Sequence, residues 1–117
     1  MARKSARKEV LPWASANADN IEHYGFAQIG RSLFESERFQ KLGYGAGMLY
    51  LHMISHAAGK REFTFSHGDA KKHGFASSTY DLYIKKLIQG GFIIRLEDEE
   101  RSQFAKARYR FSLVWKT

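Results

Sequence analysis

The sequence predicts an α+β fold, helices packed on a small antiparallel sheet with a β-hairpin, and three observations carry that expectation. Residues 63–66 alternate as a short strand, two helical segments at 67–73 and 77–89 flank Gly74, and 92–115 reads as two strands around a polar turn. All of this lies in a chain of 117 residues with no sign of a second core, so one domain is expected.

Composition bounds the function. Hydrophobic residues make up 44% and aromatic residues 15%, enough for a buried core and too much for a disordered chain. Lysine and arginine exceed aspartate and glutamate by 19 to 12, a formal charge of +7 that favours polyanionic partners, nucleic acid first among them. There is no cysteine, which excludes disulfides, thiolate metal sites and cysteine nucleophiles. The basic start Arg3, Lys4, Arg7, Lys8 is not followed by an apolar stretch of signal-peptide type, and no segment is long enough to span a bilayer. A cytoplasmic protein without a membrane partner is expected.

In chain order, residues 1–22 are small, polar and charged and read as a basic flexible arm, with 23–117 as the folded domain. The arm's cations suit phosphates or a minor groove, and Trp13 in the apolar patch Val10, Leu11, Pro12, Trp13 suits an anchor onto the domain. Residues 26–29 alternate as a short strand, and 32–42 fit a short helix carrying Leu33, Phe34, Phe39 and Leu42. A stronger helix follows from Gly43 and Gly45 to Ala58, with Ala46, Leu49, Tyr50, Met53, Ile54 and Ala57 on one core face. Met48 and Leu51 fall off that face, so either the N-terminal segment or a second copy is expected to cover them.

After the strand at 63–66 comes a short helix at 67–73, the turn at Gly74, and Phe75 as a core plug. The helix at 77–89 then places Tyr80, Ile84, Leu87 and Ile88 inward and Ser78, Thr79, Leu82, Lys85, Lys86 and Gln89 outward, with Tyr83 at the edge. Gly90 and Gly91 end it, both expected at positive φ. In the return strand Ala107, Tyr109, Phe111, Leu113 and Trp115 alternate with Lys106, Arg108, Arg110 and Ser112, an aromatic face inside and a cationic face outside.

The run from Lys72 through Gly74 to Tyr80, followed by Ile84, Lys85, Lys86, Leu87 and then Gly90, Gly91, Phe92, Ile93, resembles the winged helix-turn-helix of bacterial transcription regulators and plasmid replication initiators. The likeness covers residues 46–115. It departs in two places: the exit into the hairpin is one glycine longer, and Ala76 stands where a serine cap is usual, so Ser77 is expected to cap instead. The resemblance implies double-stranded DNA binding, with Ser77, Ser78 and Thr79 nearest the bases, Leu82 and Tyr83 alongside, Lys85 and Lys86 on phosphates, and Arg101, Lys106 and Arg108 holding the flanking backbone. A homodimer is expected if the target is palindromic. The acidic run Asp98, Glu99, Glu100 in the hairpin would repel phosphate and keeps a protein-binding module as the alternative.

His52 and His56 are four apart on a helix, a zinc-compatible spacing, but lack the accompanying glutamate and a third ligand, so they read as packed side chains. With no glycine-rich phosphate loop, no nucleophile elbow and no carboxylates flanking a cleft, neither an enzyme nor a cofactor is expected. The functional expectation is a small bacterial or mobile-element transcription regulator or replication accessory protein.

Overall fold

The computed structural model describes residues 29–96 and 107–116. The chain runs α1 (Arg31–Glu35), α2 (Glu37–Ala57), β1 (Glu62–Phe65), α3 (His67–Lys72), α4 (Ser77–Gln89), β2 (Ile93–Leu96), β3 (Ala107–Phe111) and a 3-10 turn at Val114–Lys116. The three strands form one antiparallel sheet in the order β1-β3-β2. The architecture is therefore α+β, with helices against a small antiparallel sheet. No helix among the described residues is long and apolar enough to cross a membrane.

The expected helix at 32–42 is divided by Ser36, whose backbone is extended and whose hydroxyl accepts from the Phe39 N–H at 3.4 Å, capping α2. Within α2 the helical path breaks at Gly43, at φ 84 and ψ 167, a conformation open to glycine and strained for other residues. The break lies where sequence periodicity changes from one helix to the next. Of the expected strand at 26–29 only Ile29 is described, and it lies outside any strand.

The α2 face buries Ala46, Leu49, Tyr50, Met53 and Ala57 as expected, while Ile54 is only partly buried. Opposite it stand Phe63 and Phe65 of β1, Tyr80, Ile84 and Leu87 of α4, and Phe92, Ile93 and Tyr109. Tyr50 is the hub, with ring centroids 5.2 Å from Phe92 and 5.8 Å from Phe111, both edge to face. Burial pushes its hydroxyl up to about 12, against a lowering contribution from the Trp115 indole.

The short helix α3 depends on its cap. Ser66 Oγ accepts from the Asp69 N–H at 3.1 Å and the Asp69 carboxylate accepts from the Ser66 N–H at 3.0 Å, a reciprocal capping box. Its end is closed at Gly74, φ 90, by hydrogen bonds from the Phe75 N–H to Ala70 O and from the Gly74 N–H to Lys71 O. Gly91, φ 81, closes α4 in the same way through Phe92 N–H to Leu87 O. Gly90 departs from expectation: it remains right-handed at φ −79. Its requirement is space, because a Cβ there would stand 2.9 Å from the Phe92 ring and 3.2 Å from the Lys86 carbonyl.

The return strand is shorter than its alternation predicts. It ends at Phe111, after which Ser112 is buried and Leu113 is 60% exposed, the reverse of the expected faces. The reason is tertiary: the Ser112 N–H donates to Phe92 O and the Trp115 N–H to Gly91 O, curling the terminus back over the end of α4. Trp115 then stacks on Phe92 at 5.5 Å and 9°.

Candidate nucleic-acid interface

Local chemistry places α4 before any function is assigned to it. Tyr80, Ile84 and Leu87 hold its inner face, and a helix turns by 100° per residue, so the stripe opposite is Ser78, Leu82, Lys85 and Gln89, all exposed. Thr79 and Lys86 border that stripe on one side. Asp81 and Ile88 border it on the other, and Ile88, expected inside, is 39% exposed. Leu82 is 52% exposed at the middle of the stripe.

The amino end of α4 differs from the expected cap. Ala76 occupies the cap position without a side-chain hydrogen bond, and Ser77 is the first helical residue. The start is set by the extended backbone at Ala76 (φ −72, ψ 153), immediately after the Gly74 closure of α3. Ser77, Ser78 and Thr79 thus stand together in the first turn, where backbone N–H groups point out of the helix. His67, at the start of α3, meets Asp81 at 2.7 Å between Nε2 and Oδ1, joining the amino ends of the two helices.

Tyr83 turns away from this surface. Its ring covers Gly45 so closely that a Cβ at Gly45 would overlap the phenol, and it meets Phe75 edge to face at 6.2 Å. It is a packing residue between α4 and α2. The signal for this was Gly45, whose missing side chain makes room for a large neighbour.

Arg108 lies on the outer face of the sheet with Arg110, and both are drawn to Glu62 across the β1–β3 pairing. Arg108 Nη2 is 3.0 Å from Oε1 and Arg110 Nη2 is 3.0 Å from Oε2, with Arg110 Nε also donating at 3.3 Å. Those bonds, Arg110's first, hold the Glu62 carboxyl below its ordinary pKa. The outer sheet face is thereby partly neutralised at its centre. Arg101, Lys106 and the acidic run at 98–100 lie outside the described residues.

The lysines of α4 contrast with those arginines. Among the described residues Lys85 and Lys86 have no carboxylate partner, so their charge is not already compensated. The histidines pack: His52 stacks on His73 at 4.3 Å, and His56 meets the edge of Phe65 at 5.1 Å. Burial first, and the nearby His73 second, lower the His52 pKa. Among the described residues no three His, Cys, Asp or Glu side chains converge in a way that could hold a metal.

A separate apolar surface lies on α1 and α2. Phe34, Phe39, Gly43, Tyr44, Met48 and Leu51 line a groove of about 620 Å³, with Tyr44 fully exposed at its margin. Comparison with family models, curated proteins and solved structures returned no match, so the chemistry of these surfaces carries the functional reading.

Proposed function

We propose that this chain is a winged helix-turn-helix protein that binds double-stranded DNA through the outward face of α4. The observation that carries the reading is the α4 stripe itself. Hydroxyls at the helix start, an amide at its end and two lysines without carboxylate partners stand on a helix whose opposite face is fixed in the core. Short polar side chains at a helix start suit base edges in a major groove, and unpaired lysines suit phosphates. Support also comes from the topology: a helix pair closed at Gly74 lies between β1 and a β2–β3 hairpin, in a sheet ordered β1-β3-β2.

In this reading Ser77, Ser78 and Thr79 approach the bases, Leu82 meets a thymine methyl, and Lys85 with Lys86 contact the backbone. Tyr83 supports the helix from behind. Arg108 contributes less than α4 because Glu62 competes for it. The cellular role is that of a small bacterial or mobile-element transcription regulator or replication accessory protein.

Fluorescence anisotropy with mixed-sequence duplex DNA over a salt series tests the proposal, because phosphate contacts release counterions and weaken steeply with salt. Lys85→Glu/Lys86→Glu should abolish most of that binding. Unchanged affinity in a folded variant removes this surface from contention. A protein-binding reading draws on the exposed Leu82 and on the apolar α1–α2 surface around Tyr44 and Met48; it is favoured by association that is insensitive to salt.

A further inference from the structure

We infer that Arg38 and Lys41 of α2 join Lys86 of α4 in a second phosphate-contact surface, beside the α4 stripe, that takes the backbone of the same duplex. The inference rests on the DNA-binding reading and adds residues from the amino end of α2, which precedes the stretch that the winged-helix likeness covers. Arg38, Lys41, Leu42, Lys86, Gln89 and Gly90 line one open concavity of about 390 Å³ between the amino half of α2 and the carboxyl end of α4. Three of the six are cations and none is a carboxylate.

The charges in this concavity are not compensated internally. Among the described residues none of the three cations has a carboxylate within ion-pair distance, although Glu37 stands four residues before Lys41 on the same helix. The sheet behaves differently, since Arg108 and Arg110 converge on Glu62. Three like charges gathered in a concavity repel one another, and an anion seated there relieves that repulsion.

Arg38 is also positioned. Its Nη1 donates to the Val114 carbonyl at 3.0 Å, which fixes the guanidinium on the curled terminus and leaves further N–H donors for a phosphate oxygen. Lys86 follows Lys85 by 100° around α4, so the two adjacent lysines serve neighbouring surfaces, the outward stripe and this concavity. The Gln89 amide adds an uncharged donor between them. A phosphodiester flanking the groove occupied by α4 has the required chemistry.

The test is the salt series with the whole protein and mixed-sequence duplex, comparing wild type with Arg38→Gln/Lys41→Gln and with Lys41→Gln alone. Each lost phosphate contact should make the slope of log affinity against log salt shallower by about 0.9, hence by about 1.8 for the double variant. Between 50 and 200 mM salt, wild-type affinity should then fall roughly twelvefold more than that of the double variant. The Lys41 side chain makes no hydrogen bond within the described residues, so its single variant reads charge loss without disturbing the turn held by Arg38. Unchanged slopes in both variants, with a steep wild-type slope, overturn this inference and leave the α4 reading standing. A wild type without salt-dependent binding overturns both. Inorganic tripolyphosphate supplies the remaining arm: binding to wild type that both variants lose, with duplex slopes unaltered, assigns the concavity to a free phosphorylated ligand and overturns the duplex assignment.

Discussion

Two glycines with nearly the same backbone conformation should respond very differently to the same substitution. Gly74 and Gly91 adopt φ 90 and φ 81, and each closes a helix. An alanine at either position incurs the left-handed strain of about 1–2 kcal/mol, partly offset by the loss of unfolded-chain freedom worth about 0.4–1 kcal/mol. At Gly74 nothing lies within 4 Å of a new Cβ, so Gly74→Ala should cost about 1 kcal/mol. At Gly91 the new Cβ stands 2.8 Å from Val114 Cβ and 3.1 Å from the Trp115 nitrogen. Those neighbours cannot rotate aside, and the Trp115 N–H is itself bonded to the Gly91 carbonyl at 3.1 Å. The terminal turn must shift as a unit, adding an overpacking cost of about 1–3 kcal/mol. Gly91→Ala should therefore lose about 2–4 kcal/mol in total, read by urea denaturation without DNA. Equal losses for the two variants would refute the seating of the C-terminal turn against Gly91.

Three further outcomes are expected from stability measurements. Ser66→Ala removes half of the capping box on a six-residue helix and should cost about 1 kcal/mol in urea denaturation; a loss below a few tenths would mean α3 is held by packing alone. Tyr80 buries a hydroxyl that makes no hydrogen bond of good geometry among the described residues, and burial first, with a loose polar contact to Tyr109 second, raises its pKa. Tyr80→Phe should thus be neutral or stabilising by about 1 kcal/mol, and a substantial loss would reveal a bond to that hydroxyl. For His52, whose folded pKa is lowered, the unfolded chain takes up the proton first as acid is added. Stability should therefore fall as pH drops below the unfolded histidine value of about 6.5 and level off below the folded pKa. His52→Gln should flatten that part of a pH–melting profile; an unaltered profile assigns the dependence elsewhere.

Much of the framework was determined by local sequence. The serine and aspartate three apart at 66 and 69, the glycines after 73 and 90, and the apolar spacing of 80, 84 and 87 each specify an element through neighbours within one or two turns. The extent of α4 followed from that periodicity together with the closing glycines, and the α2 core face from its spacing with Ile54 as the exception; the cap of α4, expected at Ser77, fell to Ala76. The split at Ser36 had a local signal too, a capping residue, but the apolar pattern runs across it and conceals it, whereas the break at Gly43 falls where one expected helix gives way to the next.

What only the tertiary structure decided involves contacts between residues far apart in the chain. The alternation of 106–115 contains nothing to stop the strand at Phe111, because the stop comes from Gly91 and Phe92 carbonyls on another element. Arg108 was legible as an outward cation, whereas its pairing depended on the β1–β3 register that brings Glu62 beside it. Tyr83 had the helical phase of an edge residue and was drawn inward by the space over Gly45. The concavity joining Arg38 and Lys41 to Lys86 arises the same way: helical spacing determines which face of its own helix a side chain occupies, and only the packing of α2 against α4 determines which faces meet.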